Sequence, residues 1–336
     1  MADSTDLPTV TSKADLVRMI EEFRALVTRL QAAVQQVIVG QDAVVSRVIM
    51  GLFLQGHILL EGVPGLGKTL LLKTLSQCMG LAFKRVQFTP DLMPSDIIGT
   101  RIFKQHDSNS DFVFEQGPVF TNLLLADEIN RGTPKTQSAL LEAMQERQVT
   151  VAGITHALPP PFLVLATQNP IEMEGTYPLP EAQLDRVLFK LDVPFPDQFE
   201  LVQIATRTTG RTGGKVETVV KSADEILKYM PLIRMVPVAA PLMELCARLI
   251  MSSHPESGTQ VAKKYIRFGA GPRGMQALAL AAKARALMVG RTNVIRDDVL
   301  DVAQSCLQHR IILNFNAESE GVRPATVIEH LLRQLR

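Results

Sequence analysis

His57-Ile-Leu-Leu-Glu61, then Gly62-Val-Pro-Gly-Leu-Gly67-Lys68-Thr69, then Leu70-Leu-Leu-Lys-Thr-Leu-Ser-Gln-Cys-Met-Gly80 reads as a buried strand, a glycine-rich loop and a helix. The middle segment has the spacing GxxxxGK[ST], which has mechanical meaning only between a strand and a helix. Glycines let successive backbone N–H groups curl around phosphate oxygens, and the helix start adds its positive dipole end. Lys68 reaches the outer phosphates, and the Thr69 hydroxyl is placed to ligate Mg²⁺. The expected phosphate-binding set is therefore Gly62, Val63, Pro64, Gly65, Leu66, Gly67, Lys68, Thr69 and Leu70. A glycine-rich turn can match so short a pattern by chance. The strand before it and the helix after it argue against that here.

Such a loop needs a second metal ligand at the end of a neighbouring buried strand. Asn122-Leu-Leu-Leu-Ala-Asp127-Glu128 supplies an apolar run ending in two acids. Asp127 can complete the Mg²⁺ shell and Glu128 can polarise the attacking water. A third run, Phe162-Leu-Val-Leu-Ala-Thr-Gln-Asn169-Pro170, ends in an amide that can orient that water or touch the γ-phosphate, which makes Asn169 a candidate. Alone, the acids would read as a solvated strand end and Asn169 as a turn residue before proline. The loop upstream promotes both. Two more apolar runs, FKRVQF (83–88) and VLFKLDV (187–193), lie in the same stretch. Runs without clean alternation predict strands buried on both faces, hence an α/β fold with a helix-covered parallel sheet.

Further out, Leu16, Met19, Ile20, Phe23, Leu26, Val27, Leu30 and Val34 recur at helical spacing and predict an amphipathic helix packed on the segment after it. With a frayed start before it, this helix forms a segment 1–36. VPFPDQ (193–198) marks the exit from a sheet domain spanning 37–197, leaving 198–336 as linker and helical domain. There, Ser222 with Glu225 offers a capping box before Ile226 and Leu227, and Met275–Val289 reads as helix. TRTTGRTGGK (206–215) reads as a mobile connector.

The chain has 336 residues and 37.0 kDa, with 35 Lys+Arg against 34 Asp+Glu, so no global charge draws it onto nucleic acid or membrane. Aromatics at 5% with no Trp argue against a stacking platform for single strands. The three cysteines form no CxxC pair and the six histidines no HExxH, so neither disulfide framework nor transition-metal site is expected. His57 reads as packed or solvated. Asp3 and Asp6, with no apolar run behind them, do not make a secretory signal, and no run approaches the ~18 residues of a membrane helix. A soluble, cytoplasmic, reducing setting without membrane insertion is expected.

IVGQ (38–41), EGVPGLGKT (61–69), QGPVFTNLLLADEINR (116–131), PKTQSALLEAMQE (134–146), LATQNPIEMEGTYPLPEAQLDR (165–186), GPRGMQALALAAKARAL (271–287) and ILNFNAE (312–318) together resemble the MoxR family of AAA+ ATPases. The resemblance implies an αβα core with a small all-α lid, and ATP with Mg²⁺ bound between them. It implies a ring of subunits, usually six, that completes each site. By position, Asn169 matches the family's sensor 1, Arg273 its sensor 2 and Arg186 its arginine finger, while Val39, Gly40 and Gln41 match the adenine pocket. A trans-acting arginine is worth about 10³ to 10⁵ in turnover. Arg131 rivals Arg186 for that role, since it too would project from the catalytic edge. Two departures stand out. Val187 replaces the usual Phe, which softens the fit around the finger. Gly271-Pro272-Arg273-Gly274 stands where the family has Ser-Pro-Arg-Ala, and its glycines loosen the start of the lid helix. Residues 96–114 match the helix-2 insert hairpin of this branch and 148–162 give a second hairpin; such hairpins face the ring axis or a partner, or are plain surface.

The resemblance implies an ATP-hydrolysing, chaperone-like remodeller whose client or partner bears a von Willebrand factor A domain, with roles in metalloenzyme maturation or the cell envelope. A nucleic-acid motor is a second reading, opposed by the near-zero net charge. A nucleotide-gated binding module with little turnover is a third, opposed by Glu128, Asn169 and Arg186, which pure binding does not need.

Overall fold

The computed structural model describes residues 13–63, 65–106, 109–169, 175–210, 216–256 and 259–335. The first part of the chain runs α1 (Lys13–Gln35), α2 (Asp42–Phe53), β1 (Ile58–Glu61), α3 (Lys68–Met79), β2 (Phe83–Gln87) and α4 (Pro94–Ile98). A hairpin of β3 (Gly99–His106) and β4 (Asn109–Gln116) follows, then β5 (Leu123–Asp127), a 3₁₀ turn (Ile129–Arg131) and α5 (Pro134–Glu146). A second hairpin, β6 (Gln148–Val151) and β7 (Ile154–Ala157), leads to β8 (Leu163–Gln168), α6 (Glu181–Leu184) and β9 (Phe189–Asp192). The remainder comprises α7 (Gln198–Thr209), α8 (Ala223–Leu227), α9 (Met230–Met235), α10 (Ala240–Ser252), α11 (Gln260–Tyr265), β10 (Ile266–Phe268), α12 (Pro272–Met288), α13 (Arg296–Leu307), β11 (Ile312–Leu313), α14 (Phe315–Ser319) and α15 (Pro324–Gln334).

The five apolar runs form one parallel sheet, in the order β2-β5-β8-β1-β9. Side chains alternate across a strand, so each run feeds two cores. Ile58, Leu60, Leu123, Leu125, Leu163 and Leu165 enter one. Leu59, Leu124, Ala126, Val164 and Ala166 enter the other, closed by Leu140 and Met144 of α5. Glu61 lies in register with Gln168, and Gln87 with Asp127, which brings the carboxyl ends of four strands to one edge. Parallel α/β sheets bind ligands at that edge.

The predicted N-terminal helix forms, with Phe23, Leu30 and Val34 fully buried and Leu16 and Met19 half-buried at its start. It packs on α2, α3 and the later helix α12. The Phe23 ring stands edge-on to Phe53 of α2 at 4.9 Å and tilts against Tyr229 at 5.4 Å, bridging the sheet domain and the helical part. The expected frayed start, residues 1–12, lies outside the described residues.

Both expected hairpins form, the first running from Gly99 to Gln116 because residues 96–98 belong to α4, and Phe103 and Phe112 stand exposed on it, ring centroids 5.3 Å apart. The second half is helical apart from a small ribbon, β10 with β11, whose strands are too short to leave a period in the sequence. Arg285 of α12 bonds both Asp298 and Asp301 of α13 at 2.6 Å, and Arg47 of α2 also reaches Asp301. Cys78, Cys246 and Cys306 are free thiols buried in the core shared by both halves.

Two local expectations are corrected. Ser222 precedes α8 but makes no side-chain cap; the Glu225 carboxylate instead accepts the Lys221 N–H at 3.3 Å, one residue too early for a box. The box forms at α7, where Asp197 accepts from the Glu200 N–H (2.8 Å) and Glu200 from the Asp197 N–H (3.0 Å). Thr206–Thr209 belong to that helix. Threonine hydroxyls of 206, 208 and 209 donate to carbonyls four residues back, so a threonine-rich stretch ends a helix without leaving it. Residues 211–215 of the predicted connector lie outside the described residues. Among the described residues no single helix is long and apolar enough to cross a membrane.

Candidate nucleotide site

Gly65 (φ 86°) and Gly67 (φ 77°) lie in the left-handed region, and a Cβ on either would meet nothing within 4 Å. Backbone conformation, not space, requires glycine there. Gly67 precedes α3 with no side-chain cap, so the first N–H groups of that helix face the loop's concavity as an anion site. Lys68 Nζ donates to the Gly62 carbonyl at 2.6 Å. Burial pushes its pKa down, while Asp127, Glu128 and Glu61 pull it back up. Lys68, Thr69, Arg85, Asp127, Glu128 and Asn169 line one cavity of about 420 Å³. Val63 packs on the core beside it, and Pro64 lies outside the described residues.

Thr167 organises the two acids. Its hydroxyl donates to Asp127 Oδ1 at 2.6 Å and accepts the Glu128 N–H at 2.8 Å. Glu128 sits at φ 54°, a left-handed conformation costly for a side chain of its kind, which turns its carboxylate out of the strand line. That carboxylate accepts from Arg131 Nη1 at 3.0 Å, an ion pair within one subunit. Arg85 Nη2 bonds Asp127 Oδ2 at 2.6 Å. Neither Arg85 nor Thr167 was anticipated. Arg85 lies two residues before Gln87, the register partner of Asp127, and so on the same sheet face; Thr167 is the one hydroxyl in an otherwise apolar run. One hydroxyl (Thr69) and one carboxylate (Asp127) on the same cavity suit Mg²⁺, which fills most of its shell with phosphate oxygens and water.

An apolar cavity of about 360 Å³ adjoins the first and shares Gly65, Leu66, Gly67 and Leu70 with it. Val39 and Gln41 line it, and Gly40 (φ 65°) makes the turn between them. Gln41 Nε2 donates to the Leu66 carbonyl at 3.0 Å, tying this turn to the phosphate loop. Sequence reasoning missed the opposite wall: Phe195, then Leu201, Ile204 and Thr208 of α7. Spacing of three and four along that helix was the available signal. An apolar pocket joined to a cationic, N–H-lined one fits a base with its phosphates.

Arg186 and Arg273 do not line this cavity. They line a separate crevice of about 380 Å³ between the sheet domain and α12. Arg273 Nη1 stands 3.4 Å from Asp185 Oδ2, and buried Arg310 holds Asp185 Oδ1 at 3.1 Å. Val187 is buried, and its carbonyl accepts from Arg310 at 2.6 Å and His309 at 2.9 Å, so the backbone beside Arg186 is firmly held. Gly274 does not loosen α12, which begins at Pro272. A Cβ there would come within 3.2 Å of Leu307 and 3.3 Å of Arg310 side-chain atoms, so glycine lets the helix pack closely.

Residues 57–189 match the model of the ATPase family associated with various cellular activities, and residues 259–331 match the AAA lid domain. The chain is similar to chaperone MoxR1 of Mycobacterium tuberculosis, at 45% identity over 89% of this chain and 79% of that protein. It is 38% identical to the uncharacterized protein YeaC of Bacillus subtilis, over 94% and 96% of the two chains. Protein MoxR of Methylorubrum extorquens is 28% identical over 94% and 95%. The crystal structure of a candidate ATPase from Cytophaga hutchinsonii superposes with a TM-score of 0.88 at 42% identity, covering 95% of this chain and 97% of that one.

Proposed function

The chain belongs to the MoxR family of AAA+ ATPases, chaperone-like proteins, and from that premise we propose that it hydrolyses ATP to ADP and phosphate in a ring, probing and remodelling protein complexes. The convergence of Lys68, Thr69, Asp127, Glu128 and Asn169 on one cavity carries this reading. The triphosphate lies on the loop N–H groups and Lys68, with the base against Val39, Gln41 and Ile204. Thr69 and Asp127 would hold Mg²⁺, which would supply charge neutralisation on the outer phosphates. Glu128 orients the water and accepts its proton as the water oxygen bonds to the γ-phosphorus and the bond to the β-phosphate oxygen breaks. The Asn169 amide holds that water in line. Because Arg131 is engaged with Glu128 in cis, Arg186 is the better finger. Arg186 and Arg273 share a face away from their own loop, so both act on the nucleotide of an adjoining copy in a hexamer. A cytoplasmic setting and a client bearing a von Willebrand factor A domain complete the proposal, on family likeness alone.

Phosphate release measured over a range of protein concentrations, beside light scattering with ATP and Mg²⁺, tests it. Specific activity is expected to rise as a ring appears. Lys68→Ala is expected to lose ATP binding, and Glu128→Gln to bind ATP and turn it over at least ~100-fold more slowly. Equal ATP affinity in wild type and Lys68→Ala would remove the loop assignment, and constant turnover in a persistent monomer would remove the ring.

A further inference from the structure

The crevice that holds Arg186 and Arg273 also takes Arg147 at the end of α5, Arg234 of α9 and Arg310 after α13. Among the described residues Asp185 is the one carboxylate lining it, and Arg273 and Arg310 already share it. Arg310 is buried and donates further to the carbonyls of Asp185 and Val187, so it acts as a strut. Arg147, Arg186 and Arg234 have no ion-pair partner among the described residues. Arg147 and Arg234 lie close enough for their charges to oppose each other, and Lys283, which donates to the Arg234 carbonyl at 2.9 Å, feels the same repulsion.

The backbone beneath the crevice is also strained. Gln55 (φ 50°) and Arg147 (φ 52°) are both left-handed, and Arg147 Nη2 donates to the Gln55 carbonyl at 3.1 Å, so one strained turn anchors the side chain of the other. Arg147 caps α5 from that conformation, a place where glycine would be relaxed. A long cation in a position suited to glycine, lining a crevice with other cations, marks a site shaped for an anion.

The same molecule carries a phosphate cavity on one face and this unneutralised cluster on another. A face-to-different-face contact between copies joins the two, and repeats around a ring. Resting on the ring reading above, we infer that Arg147 and Arg234 are two further contacts to the outer phosphates of the nucleotide held by the adjoining copy, beside Arg186 and Arg273. Each guanidinium adds charge-assisted hydrogen bonds where negative charge spreads in the transition state.

The test is steady-state phosphate release by Arg147→Met, Arg147→Lys, Arg234→Met and Arg186→Ala, each alone and mixed with Lys68→Ala subunits, which keep every crevice arginine but lack a working loop. Arg147→Met and Arg234→Met are each expected to lower kcat about tenfold or more. Below the concentration at which rings appear, binding of a fluorescent ATP analogue to the separated variant subunits should be unchanged, because the loop of each subunit is intact. Arg147→Lys should keep more turnover than Arg147→Met, and Lys68→Ala subunits should restore turnover in mixed rings. Full turnover in both Met variants, with turnover lost in Arg186→Ala, overturns the two added contacts and leaves the trans reading standing. A loss that Lys68→Ala subunits fail to restore, in mixed rings seen by light scattering, also overturns the inference, because a supporting role is not complemented in trans. Full turnover in Arg186→Ala removes the trans reading itself.

Discussion

His57 shows how much chemistry one buried ring fixes. Its Nε2 donates to the Met144 carbonyl at 2.8 Å and its Nδ1 accepts the Val164 N–H at 3.0 Å, a pairing that only the neutral ring can make. Burial, with Arg147 nearby, pulls its pKa down to about 4. Between pH 6.5 and about 4 the unfolded chain binds a proton that the folded chain refuses, so stability falls as pH falls through that window. The loss is on the order of 3 kcal/mol from this residue. Buried His309, also held well below its ordinary value, adds in the same direction. A glutamine at 57 can donate and accept in the same two directions without titrating. His57→Gln is therefore expected to flatten the pH dependence of urea unfolding between pH 7 and 4.5, and an unchanged slope would contradict the assignment. Sequence reading allowed packed or solvated for this residue; packing is the outcome. That Lys68, Thr69, Asp127 and Glu128 come to one cavity was legible, because loop spacing and strand ends are short-range signals. Arg85 and Thr167 were not, since each gains its meaning from a partner on a different strand, which only register reveals.

At the level of elements, the five strands and two hairpins were legible because apolar runs and turn residues are local. The start of α7 was not: its box uses Asp197, and the helix then forms one wall of the apolar cavity proposed to take the base, a place set by tertiary packing. Gly40 links that helix to the pocket's other wall. It is left-handed at φ 65°, and a Cβ there would lie 2.0 Å from Glu200 Oε1, the side chain that closes the α7 box. Gly40→Ala is expected to cost about 2 to 3 kcal/mol, from the left-handed strain and the lost cap together, and to weaken ATP binding. Gly153 provides the control, left-handed at φ 80° with nothing within 4 Å of its Cβ position. Gly153→Ala should carry the strain alone, about 1 to 2 kcal/mol, with ATP affinity unchanged. Equal ATP affinities in the two variants, read by calorimetry, would separate α7 from the base pocket.

Over the whole molecule, one core runs from the sheet into the helical part, and α1 lies across the junction. The amphipathic stripe was legible; that it spans both halves was not, because periodicity reports a buried face and never what covers it. Phe23, set between Phe53 and Tyr229, is the centre of that junction. Phe23→Ala is expected to cost about 3 to 5 kcal/mol and to shift a single urea transition. A split into two transitions would show that the halves unfold independently. The three buried thiols bear on how such coupling can be watched. Burial pushes Cys78 and Cys246 up to about 11 and Cys306 to about 12, leaving well under about one molecule in a thousand as thiolate at neutral pH. The thiolate is the form that adds to a maleimide dye, so the native chain is already silent toward such dyes. Phe103→Cys, exposed on the first hairpin, gives a single-colour reporter site in an otherwise unaltered background, and its fluorescence tests whether added ATP moves the hairpin, without removing any natural cysteine.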